Sequence, residues 1–376
     1  MKVLWLTFIP SPYRISFFEE LAKYCDLTVL FERESSSYRK GMWDEFKFIG
    51  YNGIVLKGLT IFKNDKLCLG VKRHLLNGEY DLIVISNPTS PTGIYAASIL
   101  KRKKIPYIIE SDGAFPSNAK GLKAYLKTFV MKSAQVCFST AKLHDEYYLQ
   151  CGVDRERLCR YPFTSLYARD VVPRLSSLEK IKKKKELAVN EEKVILCVGR
   201  FIKSKGFDVL ISAIKGLEEN IGLYFIGGAP TEYYIKKVNE LGLKNIYFRG
   251  FMEKEQLKEY YQCADLFVLP TRSDVWGLVI NEAMACGLPV ISTNRCIAAL
   301  ELVREGENGY IVPVDDEESL RDRINRVLSM ADEDKAKMGA RSLEIISSYT
   351  FENMAKVHMQ VFEEVLREKY GNMGTV

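Results

Sequence analysis

TRSDVWGLVINEAMACGLPVIST, residues 271–293, is the stretch on which the fold turns. Ahead of it, Asp265-Leu266-Phe267-Val268-Leu269-Pro270 is short, apolar and closed by a proline, the pattern of a buried strand. A polar turn follows, and the spacing predicts a helix from near Gly277, with Val279, Ala283 and Cys286 along one face and Ile280 and Met284 beside them. Gly287 suits the C-terminal cap, and Pro289-Val290-Ile291 opens the next strand. The first helical N–H groups, around Gly277, Leu278 and Val279, lack partners within the helix; with the positive end of the macrodipole they suit a phosphate. Asp274 in the loop and Glu282 one turn inside flank this anion site. Carboxylates accept bonds from pairs of hydroxyls, so the arrangement describes a pocket for a sugar nucleotide.

The stretch resembles the donor-site motif of the retaining glycosyltransferases of family 4, which have the GT-B fold. In that family two acidic residues eight positions apart flank a Gly-Leu or Gly-Phe helix start, followed by Glu-Ala-Met-Ala-x-Gly-x-Pro-Val. Residues 282–290, EAMACGLPV, match at every defined position, and Asp274 stands where most members carry glutamate. The variant is similar to that of bacterial surface-polysaccharide glycosyltransferases. Residues 199–206, GRFIKSKG, resemble the family's Gly-Arg…Lys-Gly element, which implies that Arg200 and Lys205 hold the donor pyrophosphate. Two cations fixed at a strand end suit the charge that grows on a departing diphosphate. At Arg249, Gly250 and Phe251 the resemblance implies a seat for the base.

Composition sets the outer limits. With 376 residues, two domains are the natural expectation. Nine cysteines without a Cys-x-x-Cys pair, and three histidines, read as reduced thiols in a cytosolic chain and not as a disulfide framework or metal site. The N-terminus is broken by prolines too soon for a signal peptide, and the uncharged run 82–100 reads as strand, loop and helix. Residues 1–170 hold 25 Lys+Arg against 17 Asp+Glu, and the remainder 29 against 31. The basic first half suits an anionic lipid surface or a phosphorylated acceptor, or is simply a lysine-rich solvated face. No aromatic-basic pattern calls for nucleic acid.

Strand patterns recur at 3–9, 27–31, 82–85, 107–110 and 136–138 with helical segments between them, which predicts a parallel sheet covered on both faces. Ligands in such sheets bind beyond the C-terminal strand ends. Three residues there are candidates on the acceptor side. Arg14 either reaches a phosphate or lies on the surface; Asn87 sits in the loop 86–89. Asp112 binds acceptor hydroxyls, acts as a base, or merely caps its loop before Gly113. Ser11 and Pro12 read as an N-cap and first helical position. Residues 121–132 form a basic amphipathic helix, either peripheral to a membrane or, the favoured reading, packed on the sheet. The lysine run 182–185 reads as a solvated face in a linker helix, and Asp315-Asp316 as a helix cap.

The fold expected is α/β, GT-B, with two facing doubly wound Rossmann-like domains: 1–170 for the acceptor, 171–350 for the nucleotide sugar, and 351–376 as a helix crossing back to the first. The resemblance implies a retaining hexosyltransferase using a nucleotide-sugar donor, a UDP-sugar, and a glycan or lipid-linked acceptor in cell-surface polysaccharide synthesis. Arg200, Lys205, Asp274 and Asp112 are the catalytic candidates, and Glu282 with the helix start and residues 249–251 binds donor. No metal or other cofactor is expected. The chain is expected to be cytoplasmic, with peripheral contact at the inner face of the membrane. The rival readings are a non-catalytic pseudo-glycosyltransferase scaffold and a GT-B sugar-nucleotide epimerase.

Overall fold

The computed structural model describes residues 1–34, 47–62, 65–117, 121–218 and 220–371. Contacts divide the chain into one unit of Met1–Thr164 with Phe351–Val376 and a second of Ser165–Thr350, where the sequence pattern suggested a boundary at 170.

In chain order the first unit contains β1 (Lys2–Thr7), α1 (Pro12–Leu21), β2 (Asp26–Phe31), β3 (Asn52–Val55), β4 (Leu59–Phe62), β5 (Asp65–Leu67), α2 (Val71–Asn77), β6 (Leu82–Ile85), α3 (Pro91–Lys103), β7 (Ile108–Glu110), α4 (Leu122–Lys132), β8 (Val136–Ser139), α5 (Lys142–Gln150) and β9 (Leu158–Arg160). Seven strands make one parallel sheet in the order β3-β2-β1-β6-β7-β8-β9, and β4 and β5 form a separate antiparallel hairpin. The order reverses between β1 and β6, so the loops after Thr7 and Ile85 part there and leave a crevice at the strand ends. Continuous apolar runs such as Val3-Leu4-Trp5-Leu6 are fully buried, as a sheet covered on both faces requires.

Several local expectations change. Ser11 occupies the N-cap of α1 with extended backbone, but its hydroxyl makes no capping bond; Pro12 at the first position already removes one orphan donor. The buried face of α1 is Phe17, Phe18 and Leu21, while Ile15 is half-buried. Helix α4 is a packing helix: Val130 and Met131 are buried, Lys127 lies 3.9 Å over the Tyr147 ring, and Lys101 of α3 lies 4.0 Å over Phe129. Strands β3 and β9 and the hairpin are too short or too polar to have shown a period.

The second unit runs α6 (Ser177–Glu186), β10 (Lys193–Val198), α7 (Phe207–Ala213), β11 (Ile221–Ile226), α8 (Glu232–Glu240), β12 (Ile246–Arg249), α9 (Lys254–Cys263), β13 (Leu266–Leu269), α10 (Leu278–Ala285), β14 (Val290–Thr293), α11 (Ile297–Leu302), β15 (Gly309–Val312), α12 (Glu317–Leu328) and α13 (Asp332–Ile346). Its six strands are all parallel, in the order β12-β11-β10-β13-β14-β15. Here the reversal falls between β10 and β13, which pair through Ile195↔Leu266 and Leu196↔Phe267. Of the run 182–185, Lys182 and Lys185 are exposed as expected, but Lys183 reaches Glu259 and Lys184 reaches Asp265, which Lys180 also reaches. Asp265 also accepts from the Val194 N–H at 2.9 Å. Asp316 caps α12 through the Ser319 N–H at 2.9 Å.

The last helix, α14 (Phe351–Gly371), belongs to the first unit and packs on α1. It delivers His358 into a box of Trp5, Phe17, Phe138, Tyr161 and Phe362, stacked on Phe138 at 4.1 Å. Each large side chain sealed there contributes on the order of 1.5–3 kcal/mol.

Candidate functional site

The reversal in the second sheet brings together two loops far apart in sequence, those after β10 and β13. After Val198 come Gly199 and Arg200; among the described residues the half-buried Arg200 guanidinium has no carboxylate or hydrogen-bond partner. A 3-10 turn, Lys203–Lys205, then ends at Gly206 with φ 66°. A Cβ at Gly206 would lie 2.0 Å from the Pro270 carbonyl oxygen, so only glycine lets this turn close on the neighbouring strand end. The turn projects the Lys205 ammonium onto the Asp274 carboxylate, and the two form an ion pair. Their side chains are 19% and 16% exposed, shielded enough that water screens them less than a surface pair.

An arginine absent from the sequence-level candidates ties these loops together. Arg272 forks onto Asp208 at 2.9 and 2.7 Å, donates from Nε to Asp315 at 2.6 Å, and donates from Nη1 to the Lys203 carbonyl at 2.7 Å. Its N–H and the Thr271 hydroxyl both reach the Ser204 carbonyl, at 2.7 and 2.8 Å. The turn carrying Lys205 is thereby bolted to the strand end carrying Asp274. Burial pushes the Asp208 carboxyl up, but the Arg272 fork outweighs it and holds Asp208 below its usual range. An arginine in a polar turn gives no sequence signal for such a role.

Helix α10 starts as the pattern predicts. Gly277 has φ 103°, and a Cβ there would lie 2.8 Å from the Cys296 sulfur, so glycine is required both by conformation and by space. The N–H groups of Gly277, Leu278 and Val279 have no acceptor among the described residues. Asp274 is anchored by its own N–H, which donates to the Arg295 carbonyl at 2.9 Å. The Trp276 indole N–H donates to Asn281 at 2.9 Å, pinning the loop to the helix it introduces.

Glu282, one turn inside, is half-buried and accepts hydroxyls from Ser165 at 3.0 Å and Tyr261 at 3.1 Å. Burial raises its carboxyl above the usual range, and those two hydroxyls only partly offset this. Two accepted bonds leave a carboxylate free lone pairs for further hydroxyls. At the end of β12, the Arg249 and Gly250 carbonyls both accept from the Gly227 N–H at 3.3 Å, the Arg249 guanidinium lies 5.6 Å from the Tyr247 ring centre, and Phe251 is half exposed. Among the described residues no three His, Cys, Asp or Glu side chains are grouped to hold a metal ion.

The first unit's crevice holds a different cluster. Arg14 is neither a surface residue nor an open phosphate ligand: it is buried, with both terminal nitrogens on carboxylates. It forks onto Glu110 at 2.9 and 2.8 Å and pairs with Asp112, whose other oxygen accepts from Tyr13 at 2.5 Å. Glu110, fully buried, also accepts from Tyr161 at 2.5 Å and Ser86 at 2.8 Å. Asp112 keeps a third of its side chain exposed, so it remains reachable. Asn87 donates at 3.5 Å to Glu32, which Ser90 also reaches at 2.6 Å. Glu110 ends an apolar strand, Ile108-Ile109-Glu110, and that charge in a buried run was the overlooked sign.

Residues 179–344 match the model of a family described as glycosyl transferases group 1. The chain is 31% identical over 265 residues to an uncharacterized 41.2 kDa protein in the cps region of Klebsiella pneumoniae, covering 69% of this chain and 72% of that one. It is 27% identical over 258 residues to the uncharacterized glycosyltransferase MJ1607 of Methanocaldococcus jannaschii, covering 67% of this chain and 65% of that protein, just under two thirds of its length. Among solved structures, Anabaena HepE in complex with UDP-glucose superposes with a TM-score of 0.75 at 19% identity, over 98% of this chain and 100% of that one. The two parallel-sheet units together with this likeness give the chain the GT-B fold.

Proposed function

The chain belongs to the group 1 glycosyl transferases, and we propose that it moves a hexose from a UDP-sugar to a glycan or lipid-linked saccharide, retaining anomeric configuration as in family 4, for a cell-surface polysaccharide. One observation carries this reading: a single sheet reversal gathers the Lys205–Asp274 pair with Arg200 and the first N–H groups of α10, which have no partner among the described residues. That set offers an anion site beside a hydroxyl-binding carboxylate. The cps-region relative supports a polysaccharide context, and the Anabaena structure, described with UDP-glucose, supports the donor class.

In this reading the α10 N–H groups and Arg200 receive the diphosphate. Lys205 turns from Asp274 toward it, and Asp274 is released to the hydroxyls of the transferred sugar. Glu282 holds the ribose, and residues 249–251 seat the base. As the bond to the sugar breaks, negative charge grows on the diphosphate, where Arg200 and Lys205 stabilise it more than in the ground state. These cations serve where a divalent metal would otherwise act, and no cofactor takes part. Asp112, paired with Arg14, orients the acceptor hydroxyl. A lipid-linked acceptor places the chain on the cytoplasmic side, against the membrane; among the described residues no helix is long and apolar enough to cross one.

The test is a panel of UDP-, GDP- and TDP-sugars by thermal shift, followed by transfer with the anomeric product read by NMR. A UDP-sugar should raise the melting temperature, and Asp274→Asn should abolish most transfer while UDP still binds. An Asp274→Asn enzyme of full activity, or no stabilisation by any nucleotide sugar, overturns the reading.

A further inference from the structure

The hairpin of β4 and β5 stands apart from the large sheet and carries its apolar residues outward. Leu59 is 71% exposed, Ile61 46% and Leu69 54%, whereas Cys68 between Leu67 and Leu69 is fully buried. Leu59 pairs directly with Leu67, and the register shifts between Thr60 and Phe62, leaving Leu59 and Ile61 both open to solvent. Soluble edge strands normally avoid such a row, because an exposed apolar edge invites association. Around it the sequence 57–73 supplies Lys57, Lys63, Lys66, Lys72 and Arg73 against one acid, Asp65. Lys57, Lys72 and Arg73 are exposed.

The hairpin is also firmly seated. The Cys68 N–H donates to the Thr92 hydroxyl at 3.0 Å, and that hydroxyl donates to the Lys66 carbonyl at 2.8 Å, fixing β5 to the first turn of α3. The Cys68 thiol donates to the Glu32 carbonyl at 3.6 Å, just past the end of β2, where Ser90 and Asn87 also converge. An apolar edge held rigidly at the strand ends, ringed by cations, has the two components of interfacial membrane binding: burial of side chains below the headgroups and attraction to anionic lipid.

We propose that the β4–β5 hairpin is the docking surface of this chain for an anionic lipid bilayer, with Leu59, Ile61 and Leu69 entering the interface and Lys57, Lys72 and Arg73 facing the headgroups. A second copy of the chain is the other occupant an open strand edge allows, but two copies of this cationic patch repel one another, and an anionic surface does not. A neutral glycan leaves the leucines in water. Docking here brings the bilayer to the edge of the crevice that holds Asn87, which suits a lipid-linked acceptor. The docking itself stands independently of the proposed transfer reaction.

The experiment is co-sedimentation of the full chain with vesicles of phosphatidylglycerol and phosphatidylcholine, or of phosphatidylcholine alone, at low and high salt. The wild type should bind the anionic vesicles, and binding should fade as salt screens the charges. Leu59→Asp with Ile61→Asp should weaken partitioning by about tenfold or more, since each change replaces an apolar anchor by a like-signed charge for the lipid. Leu178→Asp, at an 81% exposed leucine in the second unit, should change nothing. Leu59→Trp should show a blue-shifted emission on adding anionic vesicles, a readout that does not depend on the aspartate variants folding. No binding at low salt, a double variant that folds and binds as the wild type does, or an unshifted tryptophan overturns the proposal. So does a wild type that is dimeric, becomes monomeric in the double variant and ignores vesicles. Binding to vesicles by a chain that binds no nucleotide sugar would defeat the proposed function and leave this surface standing.

Discussion

The two sheets reverse strand order in the same way, yet one crevice is closed on itself and the other is open. In the first, one cation, Arg14, lies between two carboxylates, Glu110 and Asp112, and both oxygens of Glu110 and both terminal nitrogens of Arg14 are bonded within the cluster. In the second, the Lys205–Asp274 pair and Arg200, whose guanidinium has no carboxylate partner among the described residues, lie beside the positive end of a helix, with Glu282 one turn inside it. The first crevice is built to stay as it is and offers a carboxylate to neutral hydroxyls. The second leaves the Arg200 guanidinium and the first N–H groups of α10 open among the described residues, the condition in which an anion is expected. Topology supplies the crevice, and a few side chains decide what enters it.

The largest contrast should appear on acidification. All three histidines lie in the first unit, and burial holds His144 and His358 down to about 3 from an ordinary 6.5. A depressed folded pKa stabilises above the unfolded value, so both contributions are lost as pH falls from 6.5 toward 3. His358 is closed in by aromatic rings with Arg14 as the nearby charge, and its Nε2 has no partner to accept from a second proton. Glu32 acts oppositely: burial raises it from 4.5 to about 8, so its contribution grows as pH falls to 4.5 and offsets one histidine. Taken together, these three groups lose stability as pH falls from 6.5 to 4.5, where Glu32 offsets one histidine, and lose it more steeply below. In the second unit Asp208 and Asp265, both held below 3.8, lose their contribution only in more acidic solution. Hydrogen exchange at pH 7, 5.5 and 4.5 should therefore show residues 136–160 opening before residues 193–226. Glu32→Gln should steepen the loss, and simultaneous opening of both units breaks the comparison.

Next in size is Arg14→Ala, which strands the fully buried Glu110 charge and should cost about 3–5 kcal/mol in urea unfolding. Arg200→Ala should change stability by less than about 0.5 kcal/mol, because its guanidinium has no hydrogen-bond or ion-pair partner among the described residues. Equal costs would erase the distinction between a closed crevice and an open one. In catalysis the order inverts: alanine at Arg200 or Lys205 should lower kcat on the order of a hundredfold, as loss of one preorganised donor does. A rise in KM alone would make the second crevice a binding site only.

The smallest effect sharpens the picture of what holds Lys205 in place. Arg272 touches the turn and not the diphosphate, so Arg272→Ala should reduce kcat about tenfold with little change in KM, the signature of a misplaced group. Arg272→Lys should recover little, because a lysine cannot reproduce the fork onto Asp208. Full recovery by lysine would reduce Arg272 to a simple counter-charge.

What could be read from the chain follows how local each signal is. The strand, Gly277 helix start and Gly287 stop of residues 265–293 are encoded within a few turns, and each appears where its pattern places it. Arg14 with Glu110 and Asp112 spans nearly a hundred positions, and no periodicity links them. The basic helix α4 and the lysines of α6 were ambiguous for a different reason. Lysine stems lie on aromatic rings or reach carboxylates as readily as they point to water, and composition does not tell these apart. The hairpin escaped because alternation over three or four residues is shorter than any window that detects it.

The box around His358 has a consequence for how this molecule is made. Its lid, α14, is encoded after the whole of residues 165–350, although it completes the unit begun at the N-terminus. At about 5–20 residues per second, a ribosome needs roughly 10–40 s to cross that interval. Throughout it the nascent first unit shows Trp5, Phe17 and Phe138 uncovered, an exposed aromatic surface of the kind chaperones hold. Biogenesis, and not the finished fold, is where this chain is most open to aggregation, and truncation before residue 351 should yield a second unit that folds beside a first that does not.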